Sequence, residues 1–132
     1  MKRAFLIFSI LIPIILAANE FAKGIRFFKT KNYTEAKKAF EKAIEKEKSI
    51  NAHYFLGIIY LKGLGTKKSP QKARVHLEKA AESGNARAFC YLGEIAMQID
   101  KDKKRARKLL KEGASGGAGE CAEIAKKYDI KL

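Results

Sequence analysis

The chain has 132 residues, 47% hydrophobic and 32% charged, which is enough for one small domain with its own core and too little for several. Its formal net charge is +14 at pH 7, from 28 Lys and Arg against 14 Asp and Glu, and this balance favours anionic partners: phospholipid headgroups, anionic envelope polymers or acidic proteins. The two cysteines, Cys90 and Cys121, stand too far apart for any zinc or redox motif.

The chain opens with Met1-Lys2-Arg3, continues through an apolar stretch from Ala4 to Leu16 that contains Pro13, and reaches the small residues Ala17 and Ala18 before polarity returns at Asn19. This pattern predicts a secretory signal peptide over residues 1–18. The apolar run is shorter than the roughly 18 residues a bilayer-spanning helix needs, so no stable transmembrane anchor is expected after processing. The mature chain, residues 19–132, is expected in the periplasm or outside the cell. Losing the two charges of Lys2 and Arg3 takes the formal charge from +14 to +12. An exported protein rarely meets nucleic acid, which is therefore not expected as a partner.

Phe21, Gly24, Phe27 and Phe28 give an apolar face at helical spacing, and that helix stops around Thr30-Lys31-Asn32. Ala36, Phe40, Ala43 and Ile44 define a second amphipathic helix whose opposite face is the charged run from Glu41 to Lys48. A third helix, about Asn51 to Leu61, is apolar nearly all round and should be sandwiched between neighbours, with Gly57 allowing a close approach. Gly63-Leu64-Gly65 breaks it. Ser69-Pro70 then starts a fourth helix, a cap residue followed by proline in the first turn, which runs to about Glu82 and ends at Ser83-Gly84. The next pair follows the same plan across a connection at Gln98 to Lys101, with Asp100 or Asp102 as cap. Gly113 to Gly119 reads as a loose glycine-rich connection. Glu120 to Tyr128 reads as the first helix of an uncompleted unit, its side bearing Glu123, Lys126 and Lys127 solvated as a C-terminal cap should be. No strand pattern competes.

Two stretches are near-copies: Ala52-His-Tyr-Phe-Leu-Gly-Ile-Ile-Tyr60 and Ala88-Phe-Cys-Tyr-Leu-Gly-Glu-Ile-Ala96. A repeat of roughly 33 to 36 residues holding two helices is a unit that cannot bury its apolar face alone and must stack on copies of itself. The expected fold is all-α: an αα-superhelix (solenoid) of about three helix-turn-helix repeats, at about 19–50, 51–84 and 85–117, plus a C-terminal capping helix over 118–132.

The string Ala52…Leu56-Gly57…Tyr60…Gly63-Leu64-Gly65…Lys72-Ala73…Leu77…Lys79-Ala80-Ala81…Gly84 resembles the Sel-one-like repeat, a relative of the tetratricopeptide repeat. Ala88…Leu92-Gly93…Ala106…Leu110…Gly113-Ala114…Gly117 is similar to a second copy, without the Gly-x-Gly connection and with Ala96 at the tyrosine position. The first pair, with Gly24, Phe27, Tyr33, Ala36, Phe40 and Ala43, is closer to the plain tetratricopeptide pattern. The resemblance implies a non-catalytic interaction scaffold or adaptor. An exported, cysteine-rich branch of the family carries a penicillin-binding or β-lactamase label and bears a close pair of bridging cysteines in each repeat. Here the matching site is Ala81, and Cys90 is displaced by one residue, so the branch's defining feature is missing.

Ser69-Pro-Gln-Lys72 formally fits a Ser-x-x-Lys nucleophile motif, yet a helix start explains the same residues and the Ser-Asp-Asn and Lys-Thr-Gly partners are absent. His53 and His76 fall on different helices without acidic residues at ligand spacing, and read as surface or boundary histidines. Neither a cofactor nor a metal is expected. Cys90 and Cys121, an even pair in an exported chain, either form a disulfide or sit as small apolar residues at helix contacts. With Ala52, Leu56 and Tyr60 as the packed face of the third helix, the 100° helical step sends Tyr54, Ile58 and Leu61 to the opposite side. Their counterparts in the next copy are Cys90, Glu94 and Met97. These six are expected either to floor a partner-binding groove or to be covered by curvature or self-association. Lys103, Lys104, Arg107, Lys108 and Lys111 form a basic strip on the sixth helix, either a solvated face or a dock for an acidic partner or envelope polymer.

Overall fold

Three helix starts are capped by the residue just ahead of them. Ser69 Oγ accepts the N–H of Lys72 (3.3 Å), Asn85 Oδ1 that of Ala88 (3.3 Å) and Asp102 Oδ1 that of Arg105 (2.9 Å), each satisfying a donor that the first turn leaves without a partner. The computed structural model describes residues 19–132, so the expected export signal over 1–18 lies outside the described residues. Within them the order is α1 (Glu20–Lys29), α2 (Tyr33–Glu47), α3 (Ile50–Lys62), α4 (Pro70–Glu82), α5 (Ala86–Ile95) with a π-helical turn (Ala96–Asp100), α6 (Lys103–Ser115) and α7 (Glu120–Lys127), with no strand among the described residues. The helices pack as the pairs α1/α2, α3/α4 and α5/α6, with α7 closing the stack. The fold is thus the expected all-α solenoid.

Each pair is held by the same device. A glycine on the first helix leaves room for a large buried side chain of the second: a Cβ at Gly24 would lie 2.5 Å from the Phe40 ring, one at Gly57 2.5 Å from Leu77 Cγ, and one at Gly93 2.8 Å from Leu110 Cγ. Phe40, Leu77 and Leu110 are fully buried. Alanines such as Ala36, Ala52, Ala73, Ala88 and Ala106, all at 0% exposure, let the flanking backbones follow that approach. The third helix is buried almost all round, at Ala52 and from Leu56 through Leu61, as its apolar pattern predicts. Helix α1 borrows its cap from the far end of α2, where the Glu47 carboxylate accepts the N–H groups of Glu20 and Phe21.

Two connections differ from expectation. The segment Gln98 to Lys101 belongs mostly to the π-helical turn, which ends only at Lys101 with φ +53°. Lacking the Gly-x-Gly break of the preceding copy, α5 runs on, and its half-buried Met97 and Ile99 keep packing against the core. Asp102 is the cap; Asp100 instead binds Arg74 (2.7 Å) and Arg105 (3.6 Å), tying α4 to α6. Gly113 to Gly119 is not loose at its start, because α6 continues to Ser115 and Gly113 is buried. Helices α4 and α6 then end alike. Asn85 N–H reaches Ala80 O (3.1 Å) around Gly84, and Ala118 N–H reaches Gly113 O (3.0 Å) around Gly117, both glycines at positive φ.

Cys90 and Cys121 are joined in a disulfide, Cα–Cα 4.7 Å, that fastens α7 to α5. A Cβ on Gly113 would lie 2.5 Å from Cys121 Sγ, 2.9 Å from Cys90 Sγ and 2.7 Å from the Ala86 carbonyl oxygen. Only glycine lets α6 close over the bridge. Opening a bridge across a separation of 31 residues is expected to lower unfolding free energy by about 3 to 4 kcal/mol, read as a fall in the urea midpoint on reduction. Gly113→Ala is expected to cost about 1 to 3 kcal/mol by overpacking, measured by the same titration under oxidising conditions.

Candidate functional site

The expected groove floor is mostly closed. Ile58, Leu61, Cys90 and Glu94 are buried, while Tyr54 and Met97 are half-buried. The reason is that a first helix in this stack has neighbours on three sides: its own partner, the preceding second helix and the next first helix. The side of α3 opposite its main contact therefore meets α5, and the corresponding side of α5 meets α7 through the disulfide and through Lys127 Nζ, 2.7 Å from Glu94 Oε1.

What the first helices leave accessible lies beside that seam. Phe28, Phe55, Tyr54 and Tyr91 form a continuous aromatic row across α1, α3 and α5, with ring centroids 5.3 Å (Phe28–Phe55), 5.2 Å (Tyr54–Phe55) and 6.2 Å (Tyr54–Tyr91) apart. All four are half-buried. The Lys62 ammonium stands 5.8 Å from the Tyr91 ring centroid, and Arg87 pairs with Glu120 at 3.1 Å. An open cleft of about 280 Å³, lined by Lys62, Tyr91, Glu120, Glu123 and Lys127 among others, continues the row onto α7. Burial pushes both phenols above the ordinary tyrosine range, so Tyr54 and Tyr91 stay protonated and offer O–H groups beside an apolar surface. Of this row, helical phase in the sequence picks out Tyr54. Tyr91 and Phe55 sit one position off the face that helical phase had singled out.

Lys103, Lys104, Arg107, Lys108 and Lys111 are all exposed on α6, and among the described residues none is ion-paired. Lys103, Lys104 and Arg107 border a shallow cleft with Asp129, Ile130 and Lys131. At the suspected nucleophile motif, Ser69 Oγ is engaged as a cap and the Lys72 ammonium stands 5.4 Å from the Tyr60 ring centroid.

The histidines do not stay apart. His53 Nδ1 and His76 Nδ1 are 2.9 Å from one another, and the His76 ring stacks on Tyr60 with an interplanar angle of 5°. Burial first, then the neighbouring His53 and Lys79, bring His76 down to about 4; burial and Lys79 also lower His53. Only the packing of α3 on α4 creates this pair.

The Sel1 repeat model matches residues 50–85 and 86–117. Superkiller complex protein 3 of Homo sapiens is 39% identical over 84 residues, 61% of this chain and 5% of that protein. Tetratricopeptide repeat protein 37 of Xenopus laevis is 34% identical over 117 residues, 81% of this chain and 7% of that protein. A Sel1 repeat protein from Oxalobacter formigenes, solved by crystallography, superposes with a TM-score of 0.71 at 32% identity, over 83% of this chain and 46% of its own. The chain thus spans a small fraction of the curated relatives and about half of the solved structure.

His76 binds its proton less readily folded than unfolded, so its share of stability is complete above pH 6.5 and is lost as pH falls from 6.5 toward about 4. Allowing for solvent screening, the loss is expected to be about 1 kcal/mol. Urea titrations at pH 7.5 and 4.5 should show a smaller acid penalty for His76→Gln than for the wild type.

Proposed function

The chain belongs to the Sel1 repeat family, and from that premise we propose that it is a non-catalytic scaffold of the cell envelope, binding a protein segment along the aromatic row of its first helices. Repeats of this family and of the related tetratricopeptide family generally mediate protein–protein interaction. One observation carries the choice of surface: Tyr54 and Tyr91, from successive repeats, stand side by side with Phe55 behind them and Lys62 over one ring. Such half-buried tyrosines combine a rigid apolar body with a polar tip and are enriched among residues that dominate interface energies. The flanking pairs Arg87–Glu120 and Glu94–Lys127 supply a polar rim of both signs. The pattern suits a partner segment with an aromatic or aliphatic anchor and polar flanks.

A second reading rests on the α6 strip, whose five exposed cations lack carboxylate partners among the described residues. This surface suits an anionic envelope polymer. It presents an exposed row of mostly lysines, so its attraction would be screened beyond about 8 to 10 Å at physiological salt. The penicillin-binding or β-lactamase alternative is the weakest, because Ser69 and Lys72 are each engaged elsewhere.

The test is capture from envelope extract with three baits: wild type, Tyr91→Asp, and a variant with the five strip cations changed to Gln. A protein retained by wild type and the strip variant and weakened about tenfold or more by Tyr91→Asp supports the aromatic row. Material lost from the strip variant and eluted by moderate salt replaces it with the second reading. Turnover of a chromogenic β-lactam by the purified chain would overturn both.

A further inference from the structure

We propose that His53 and His76 chelate one divalent transition-metal ion through their facing Nδ1 atoms, with copper(II) preferred over nickel(II) and zinc(II). The bite of the pair sets the geometry of the ion, independently of any scaffold role. Metal–imidazole bonds are about 2.0 to 2.1 Å, so two nitrogens 2.9 Å apart subtend about 90° at an ion equidistant from both. That is the angle between cis positions of a square-planar or tetragonal ion, the geometry of copper(II) and nickel(II). A tetrahedral zinc ion would need the nitrogens about 3.3 Å apart. Imidazole suits copper, and the divalent stability order places copper highest.

The pair is held on both sides. His53 lies on α3 and His76 on α4, and the parallel stack of His76 on Tyr60 sets the plane of that ring. Access comes through a surface cleft lined by Ile50, His53, Lys79, Glu82 and Ser83, so an ion and its remaining water ligands can enter beside His53. In the present arrangement one Nδ1–H donates to the other Nδ1. Metal binding moves that proton to Nε2 of the same ring through solvent, leaving two neutral Nε2–H imidazoles and two free Nδ1 lone pairs, with no net proton released. The low pKa of His76 keeps its ring neutral at pH 7 and its lone pair available. Among the charged groups nearby, Lys79 opposes a cation, while Glu41 acts on His76 in its favour and Glu82 lines the entrance.

The composition makes this testable without ambiguity, because these are the only two histidines in the chain and both cysteines are bridged. Among the described residues no group of three or more His, Cys, Asp or Glu is placed to hold a metal. Untagged protein labelled with ¹⁵N-histidine is titrated with copper sulfate at pH 7.5, followed by electron paramagnetic resonance and calorimetry, and separately with zinc sulfate by NMR. One equivalent of copper with coupling to two imidazole nitrogens, binding weakened about tenfold or more by His53→Gln or His76→Gln, is the expected result. Zinc should shift the Nδ1 resonance of both rings in the wild type, a readout that needs no variant to fold. Copper bound equally by folded variants and wild type, or copper coupled to fewer than two imidazole nitrogens in the wild type, overturns the proposal.

Discussion

The geometry of this protein depends on a glycine facing a large buried side chain in each helix pair. Gly24 admits Phe40, Gly57 admits Leu77 and Gly93 admits Leu110, each at a distance no Cβ could tolerate. That contact sets how closely the two helices of a pair lie, and so where the outer edges of each pair stand relative to the next. The aromatic row is a product of this spacing, because Tyr54 and Phe55 precede Gly57 by less than one turn in the chain and Tyr91 stands in the same relation to Gly93. The histidine pair is another product, since it spans the two helices that Gly57 and Leu77 draw together.

Local grammar was legible because its physics is local. Ser69-Pro70 caps and opens α4, Gly84 ends it in the left-handed conformation, and the all-round apolar pattern of α3 marks a helix covered on most of its sides. Gly113 was not legible. It heads a run rich in glycine, and nothing nearby in sequence distinguishes a glycine that admits a disulfide from one that loosens a connection. Of the two expectations for the groove residues, covering by neighbours fits the burial of Ile58, Leu61, Cys90 and Glu94, for a related reason. Placing Ile58, Leu61, Cys90 and Glu94 opposite a packed face assumes one packed face, whereas a stacked helix has three. The meeting of His53 and His76 depends on the relative shift of two helices along each other, which hydrophobic periodicity does not encode.

The surfaces divide by helix type. First helices carry the rings and the compensated ion pairs Arg87–Glu120 and Glu94–Lys127, whereas α6, a second helix, carries uncompensated positive charge. A ligand selected by apolar fit and one selected by charge would therefore meet different elements of the same stack. The two attractions also answer differently to salt, since burial of apolar surface persists where exposed Coulomb terms are screened.

The disulfide has a mechanical consequence. A stack of helix pairs is a spring whose stiffness is set joint by joint. Covalent linkage of α5 to α7, reinforced by Lys127 on Glu94, makes the last joint rigid, while the joint between α2 and α3 is held chiefly by apolar side chains around Phe40, Leu56 and Ile59. The covalent tie thus belongs to the C-terminal end of the stack, and the joint between α2 and α3 has none. The aromatic row begins across the joint without a covalent tie, at Phe28 and Phe55, and ends on the bridged side at Tyr91, so a change in curvature of the spring would alter the spacing between its rings.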